Sequence, residues 1–362
     1  MTHLERQFDA WWHKQNEKRP LVHIVGLDTA KMEPYPAPAD HRDMHIGGAW
    51  NARRERAILP GLVHFGEAFP HVNLNMGPGS MACYLGSRPV YARDTVWYEP
   101  ICKESLAELG ELKFDSHNPW WVEHLNEMRA LADGLKGTEC RPVIPDILEN
   151  IDILSNLRGP QPLCYDLMDE PELVKKYIAQ VDDLYMQYYN GMYDICKNET
   201  GGVAYTSFFI CAPDKCAKIQ CDFSALMSPA MFDDMVIPSL IRQTEEIPYT
   251  LYHLDGPDAI RHLKSILKIP RLGALQWVPG DGREDAAHPK WDFIHDAVKE
   301  AGKALWFIFG ADPGRNPADS IIEKSRRLVK RYGHEGVYMV YPGMALNDAQ
   351  RVWEAAQQNF QA

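Results

Sequence analysis

No stretch of this 362-residue chain approaches the ~20 consecutive apolar residues that a membrane-spanning helix requires. The N-terminal MTHLERQFDAWWHKQNEKRP has no apolar core of signal-peptide length either, so a soluble chain in the cytoplasm is the expectation. Basic residues are scarce relative to acidic ones: 38 Lys and Arg face 50 Asp and Glu, a formal charge of -12. Phosphate backbones and anionic lipid surfaces need clustered cations, and the basic runs here are as short as Lys324-Ser325-Arg326-Arg327 and Lys330-Arg331. Nucleic acid and membrane are therefore not expected partners. The eight cysteines are scattered, which does not suit a disulfide framework, and reduced thiols are expected. No phosphate loop, no G-x-S-x-G elbow and no H-E-x-x-H occurs, and no G-x-G-x-x-G follows an early strand. Nucleoside triphosphate chemistry and serine hydrolysis thus have no positive support.

What the chain does hold is a regular alternation of apolar runs and helical patterns from about residue 140 onward. Hydrophobic residues at 45% and charged residues at 24% suit one sizeable core. Val143-Ile144 reads as a short strand before a helix from Asn150. Leu173, Val174, Tyr177, Ile178, Val181, Leu184, Tyr185 and Tyr188 then mark a long helix, with Asp169 and Glu172 as its N-terminal signal. VAYTSFFI from Val203 and KIQCDF from Lys218 are β-rich, and Ser228-Pro229 opens the next helix. YTLYHL, LGALQWV, KALWFIF and GVYMVY are strands, followed by helices from about Pro257, Trp291, Ala318 and Asp348. Strands separated by single helices predict a parallel sheet, and strands this apolar predict an α/β fold closed as a single (β/α)8 TIM barrel over residues 1–362. An open doubly wound sheet is the competing layout. The less regular first 140 residues, with PLVHIVG and HVNLNMG as strands and Asn118-Pro119 opening a helix, read as N-terminal helical decoration of the same domain.

In a (β/α)8 barrel the reacting groups come from strand C-termini. That rule selects Asp222 after KIQC, His253 and Asp255 after YTLY, Gln276 and Trp277 after LGAL, Tyr341 and Met344 after GVYMV, and Asn73 and Asn75 at the end of an early strand. Period-two alternation puts His253 and Asp255 on one side of their strand, as two metal ligands or as an acid and a base. A structural reading stands beside this one: Asp255 as a helix cap and His253 as a hydrogen-bonded strand end. Asp222, likewise, could be a turn or capping residue, and Trp277 could be core. Cys211, Cys216 and Cys221 recur at a spacing unlike a zinc finger, and only Cys221, beside Asp222, is a candidate ligand.

GPGSMACYLGSRPVYARDTVWYEP, ENIDILSNLRGPQPLCYDLMDEPELV, QCDFSALMSPAMFDDMVIPSL and YHLDGPDAIRHLKSILKIPRLGALQWVPGDG together resemble the uroporphyrinogen decarboxylase superfamily. The resemblance implies a (β/α)8 barrel with its pocket at the strand C-termini. It also implies one of two chemistries. Cofactor-free decarboxylation of uroporphyrinogen uses N-terminal arginines, whereas the matching strand end here, PLVHIVGLDTA, has none, and Arg53, Arg54 and Arg56 fall on a helical stretch. The other branch, zinc-dependent methyltransferases serving a corrinoid protein or a thiol, uses H-x-C and a distant P-G-C. The corresponding positions read His253-Leu254-Asp255 and Pro342-Gly343-Met344, so one ligand is kept while a carboxylate and a thioether replace the others.

The resemblance therefore implies metal-assisted methyl transfer on a small methylated substrate or corrinoid partner. His253, Asp255 and Cys221 would hold zinc, Asp222, His253 and Asp255 would carry the chemistry, and Asn73, Asn75, Gln276, Trp277 and Tyr341 would contact substrate. A metal-free carboxy-lyase using Asp222 as acid, and a non-catalytic tetrapyrrole or corrinoid carrier, are the alternatives. A homodimer is the expected assembly.

Overall fold

The strands of the carboxy-terminal half are buried on both faces. Cys216–Gln220 and Val337–Val340 are buried at every position, and Ala274–Val278 and Ala304–Ile308 at all but the last. Strands so enclosed belong to a parallel sheet covered by crossover helices, and that is what the computed structural model, which describes residues 1–361, contains. In chain order the strands are β1 Leu21–Leu27, β2 Leu62–Gly66, β3 His71–Val72, β4 Arg88–Tyr91, β5 Val96–Glu99, β6 Arg141–Pro142 and β7 Val203–Tyr205. They continue with β8 Ile210–Ala212, β9 Cys216–Gln220, β10 Tyr249–Asp255, β11 Ala274–Val278, β12 Ala304–Ile308, β13 Val337–Val340 and β14 Met344–Ala345.

The main sheet has eight strands in the order β14-β1-β13-β12-β11-β10-β9, with β2 also paired to β1. Every pairing is parallel except β1 with β2. Helical segments separate the strands from β9 to β13: Asp222–Leu226, Pro229–Met235 and Ile237–Glu246, then the short turns through Pro257–Ile266, then Pro289–Trp291 with Asp292–Glu300, and finally Pro317–Tyr332. Three small pairs stand apart: β3 with β6 in parallel, and the hairpins β4–β5 and β7–β8. The α/β class and the mostly parallel sheet are thus as the alternation predicts. Among the described residues no helix is long and apolar enough to cross a membrane.

The N-terminal helix His3–Trp12 covers the end of the sheet where the strands begin. Trp11 and Trp12 are buried, their indole N–H groups donating to the carbonyls of Leu305 (3.4 Å) and Cys211 (3.0 Å). Gly273 lets this helix approach: a Cβ there would lie 2.9 Å from the Trp12 ring. With that end filled, the opposite end, where the strands finish, is left to the loops.

Three local expectations change. VAYTSFFI is not one strand but the β7–β8 hairpin, because Ser207 and Phe209 take positive φ (55° and 50°) and turn the chain at Thr206–Phe209. Asp169 ends the helix Pro160–Asp169 instead of starting the next one. Glu170 is the N-cap of Pro171–Cys196, whose first-turn proline fixes the start. Of HVNLNMG only His71–Val72 is strand, and Leu62–Gly66, unanticipated, runs antiparallel along β1. The cap at Ser228 forms as the sequence predicts, accepting from Met231 N–H, and the helix expected from Asn118-Pro119 starts there with Asn118 accepting from Trp120 and Trp121 N–H.

Candidate active site

Three neighbouring parallel strands build the site. The register of β9, β10 and β11 sets Gln220, His253 and Gln276 in one row, His253 in the middle. Alternation along β10 carries Asp255 to the same side as His253, and Asp222 lies two residues beyond Gln220. One ligand atom from each of Asp222, His253 and Asp255 lies within 4.8 Å of the other two. Both carboxylates are exposed and the imidazole is half-buried, so the cluster faces an opening and not the core.

Each member is differently supported. His253 Nδ1 is hydrogen-bonded to the Gln276 side-chain oxygen. The amide oxygen only accepts, so Nδ1 carries the proton and Nε2 is left as the nitrogen able to ligate. Asp222 accepts from Gln220 Nε2 at 2.6 Å, while the backbone N–H groups of Asp222 and Phe223 donate to the Asp152 carboxylate at 2.8 and 2.9 Å. Behind Gln220 stands Lys218, 0% exposed, whose ammonium donates to Gln220 Oε1 and to Asp146, both at 2.8 Å. A chain Asp146–Lys218–Gln220–Asp222, centred on the buried Lys218, therefore leads to the opening. Asp255 is free of the capping role: Gly256 holds the N-cap of the turn Pro257–His262, which has no side-chain cap. That turn is a short 3-10 segment, so a helix dipole aimed at the site does not form there.

Although Asp222 is exposed at the opening, desolvation by the protein packed around its carboxylate raises its pKa above the usual carboxylate range; His253 and Lys218 pull it down, and Asp255 and Asp146 push it up again. Asp152 rises to about 7 through burial and then through Asp222. Glu149, fully buried, is pushed well up by desolvation against the opposing pull of Lys218, and its Oε2 has no hydrogen-bond partner. The ground beneath the opening thus holds several carboxylates around one buried ammonium.

The other sequence-selected residues scatter. Gln276 joins the site through His253. Trp277 points the other way, fully buried and packed on Trp291 with ring centroids 5.1 Å apart. Cys221 is buried, its thiol pushed well up by desolvation, and it is not part of the ligand cluster. Met344 pairs with Gly26 on the far side of β1. Asn75 accepts from Gly77 N–H at 2.8 Å, and the Asn73 side-chain oxygen is buried without a partner. Tyr341 donates or accepts with Ser325 Oγ at 2.9 Å and lines a separate cavity of about 370 Å³.

That cavity holds residues that strand-end reasoning passes over. His23, His64 and His71 line it from β1, β2 and β3, together with Phe69 and Phe209. Their signal in the sequence is three histidines inside otherwise apolar strands. The turn Thr206–Phe209 divides the cavity from the ligand cluster: the Phe208 ring lies 5.3 Å from His253, and Phe209 stacks on His23 at 4.3 Å. Trp306 Nε1 donates to Phe208 O and the Tyr338 hydroxyl to Phe209 O, each at 2.8 Å, and so pin the turn. A larger cavity of about 810 Å³ lies between the loops after β11 and β12. It contains none of the three clustered ligands, and Lys324 there is already paired with Asp285 (2.6 Å) and Asp312 (2.7 Å).

Comparison with known proteins places the fold and no more. No protein-family profile matches the chain, and no curated protein matches it. A methyltransferase from Methanosarcina mazei superposes with a TM-score of 0.60 at 14% identity, over 99% of each chain. An endo-beta-1,4-mannanase from Thermotoga petrophila aligns at a TM-score of 0.37 and 10% identity, covering 95% of this chain and 77% of that one. A HpcH/HpaI aldolase/citrate lyase family protein from Burkholderia cenocepacia aligns at 0.27 and 14%, covering 80% and 93%. These last two are too distant to carry an argument.

Proposed function

We propose that the chain is a metal-assisted methyltransferase. The observation that carries this reading is the convergence of His253 and Asp255 from β10 with Asp222 from the turn that follows β9, with ligand atoms within 4.8 Å. The fold likeness to a protein described as a methyltransferase supports it. The donor set of one imidazole nitrogen and two carboxylate oxygens suits a divalent ion such as zinc, with harder ligands than a thiolate site offers. The bound ion would supply Lewis acidity toward a heteroatom of the substrate. The chain's own residues prepare that role. Gln276 holds the His253 ring in the tautomer that frees Nε2. Gln220, backed by Lys218, orients Asp222, and Asp152 fixes the backbone from which Asp222 projects. Asp255 brings a carboxylate that no cap claims. The substrate on this reading is a small methylated molecule, a corrinoid protein is the candidate partner and the assembly a homodimer. The single domain closes as a (β/α)8 barrel. Closure is supported by the hydrogen bonds from Val143 N–H to Val72 O (3.1 Å) and from Ile144 N–H to Ala204 O (3.0 Å).

Elemental analysis of untagged protein, purified without chelator or metal-affinity resin, tests the reading. About one zinc per chain, lost in His253→Ala, is the expected result; folded protein with no stoichiometric metal overturns it. A second reading, a metal-free carboxy-lyase, draws support from the raised pKa of Asp222, which favours a protonated carboxyl able to deliver a proton. Carbon dioxide release by metal-free protein, abolished in Asp222→Asn, would select it.

A further inference from the structure

The cavity of about 370 Å³ beside the Thr206–Phe209 turn has a consistent chemistry of its own. Its size lies within the range of small-ligand pockets and exceeds the ~150 Å³ that suffices for benzene. Aromatic rings form much of its wall: His23 with Phe209 (4.3 Å), His71 with Phe209 (5.2 Å) and Phe69 with His71 (5.1 Å). No lysine or arginine lines it, which leaves an anionic ligand without a counter-charge. The lining carboxylate is Glu55, held toward its neutral form by burial and faced by Arg54 at 3.8 Å, which leaves a cationic ligand equally poorly matched. Burial keeps the imidazoles uncharged, with pKa values lowered to about 3 for His23 and about 4 for His71.

The His23 imidazole is the deepest uncommitted polar group there. His23 is only 4% exposed; its Nδ1 is sealed inside the protein without a hydrogen-bond partner, which leaves Nε2, also unpartnered, as the ring nitrogen open to a ligand. A polar atom held away from bulk water without a partner is unfavourable, so a ligand that supplies the hydrogen bond binds more tightly than one that only fills the space. His71, in contrast, already donates from Nδ1 to Phe69 O (2.9 Å). Among the described residues the three histidines do not form a ligand cluster of metal-binding dimensions, so the cavity is not a second metal centre.

We infer that this cavity binds a small uncharged aromatic ring bearing one hydroxyl, with the ring among the aromatic walls and the hydroxyl on His23. The inference stands independently of the methyl-transfer reading. Across the turn, Phe208 touches His253, so a ring seated here lies beside the ligand cluster without sharing its residues.

Calorimetric titration of the full-length protein with phenol, toluene, benzoate and tetramethylammonium tests the inference. Phenol binds saturably, and benzoate and tetramethylammonium bind at least about tenfold more weakly. His23→Phe keeps a ring and removes the hydrogen bond, so phenol weakens about tenfold while toluene is unchanged. Gly343→Phe is the independent variant. Gly343 lines the cavity, is exposed, and a Cβ there meets nothing nearer than 3.6 Å, so a large side chain fits the fold and obstructs the opening. It abolishes phenol and toluene binding while the circular dichroism spectrum and bound metal stay as in the parent. No saturable phenol binding by folded protein, tighter binding of tetramethylammonium than of phenol, or phenol binding unaffected by Gly343→Phe each overturns the proposal. Equal losses of phenol and toluene in His23→Phe overturn the role of the hydroxyl.

Discussion

Gln276 makes a single side-chain hydrogen bond, yet that bond decides which nitrogen of His253 faces outward. A partner of this kind is worth about 10–100-fold in metal affinity where such sites have been perturbed. Gln276→Leu is therefore expected to weaken zinc binding by about that factor without unfolding the chain, as competition with a chromogenic chelator would read. A second residue-scale prediction concerns Asp182, buried on the helix Pro171–Cys196, which accepts from Ser239 Oγ at 2.7 Å. Burial raises its pKa to about 7. A carboxyl raised in the folded state binds its proton more tightly there than in the unfolded chain. Its contribution is then fully favourable below pH ~4 and is lost as pH rises through about 7. Asp182→Asn should flatten that loss, a gain on the order of a few kcal/mol at pH 8 and little at pH 4, measured by urea unfolding at both values. An equal effect at both pH values would show that the carboxyl does not titrate as its burial requires.

At the scale of elements, the Thr206–Phe209 turn is an irregular and tightly held piece of backbone near the site. Two residues other than glycine hold positive φ, a conformation costing about 1–2 kcal/mol each, and persist because Trp306 and Tyr338 bind the carbonyls of Phe208 and Phe209. Trp306→Phe keeps the ring packing and loses the donor. It is expected to cost about 1–3 kcal/mol in stability, since the Phe208 carbonyl is left unpaired. Amide exchange should also quicken at residues 206–209 before the rest of β7 and β8; uniform protection would show that the clamp does not hold the turn. Ser228→Ala tests a simpler element rule. It removes the hydroxyl that accepts from Met231 N–H and should cost about 1 kcal/mol with no effect on metal content.

On the scale of the whole molecule, the strand beginnings are closed by Trp11 and Trp12 and the strand ends carry the ligand cluster. Ligands drawn from β10 and from the segment after β9 tie neighbouring elements together, so an ion bound there stabilises the folded chain by mass action. At a hundredfold excess over its dissociation constant the gain is about 2.7 kcal/mol, visible as a higher melting temperature with added zinc. Asp255→Asn, at a position with no capping role, should abolish that zinc-dependent shift and leave the melting temperature in chelator unchanged.

The sequence by itself determined the α/β alternation, the helix starts at Ser228 and Asn118-Pro119, and the pairing of His253 with Asp255 on one side of a strand. All three depend on local periodicity, which a strand or helix expresses wherever it is placed. It also placed Asp222 correctly as a strand-end residue. Lys218 and Gln220 precede Asp222 by four and two residues, so the same alternation sets them on its side; the sequence could not place Asp152, because that residue comes from a helix about 70 residues away. Nor could it show that Trp277 packs inward while Gln276, its neighbour, reaches His253, since alternation gives opposite faces without saying which is the core. The VAYTSFFI run illustrates the same limit. Its β propensity is satisfied equally by one long strand or by two short ones, and the chain turns where Trp306 and Tyr338, a hundred or more residues later in sequence, supply the donors that hold the turn closed. Local preference selects the element, and tertiary hydrogen bonds decide where it stops and what it faces.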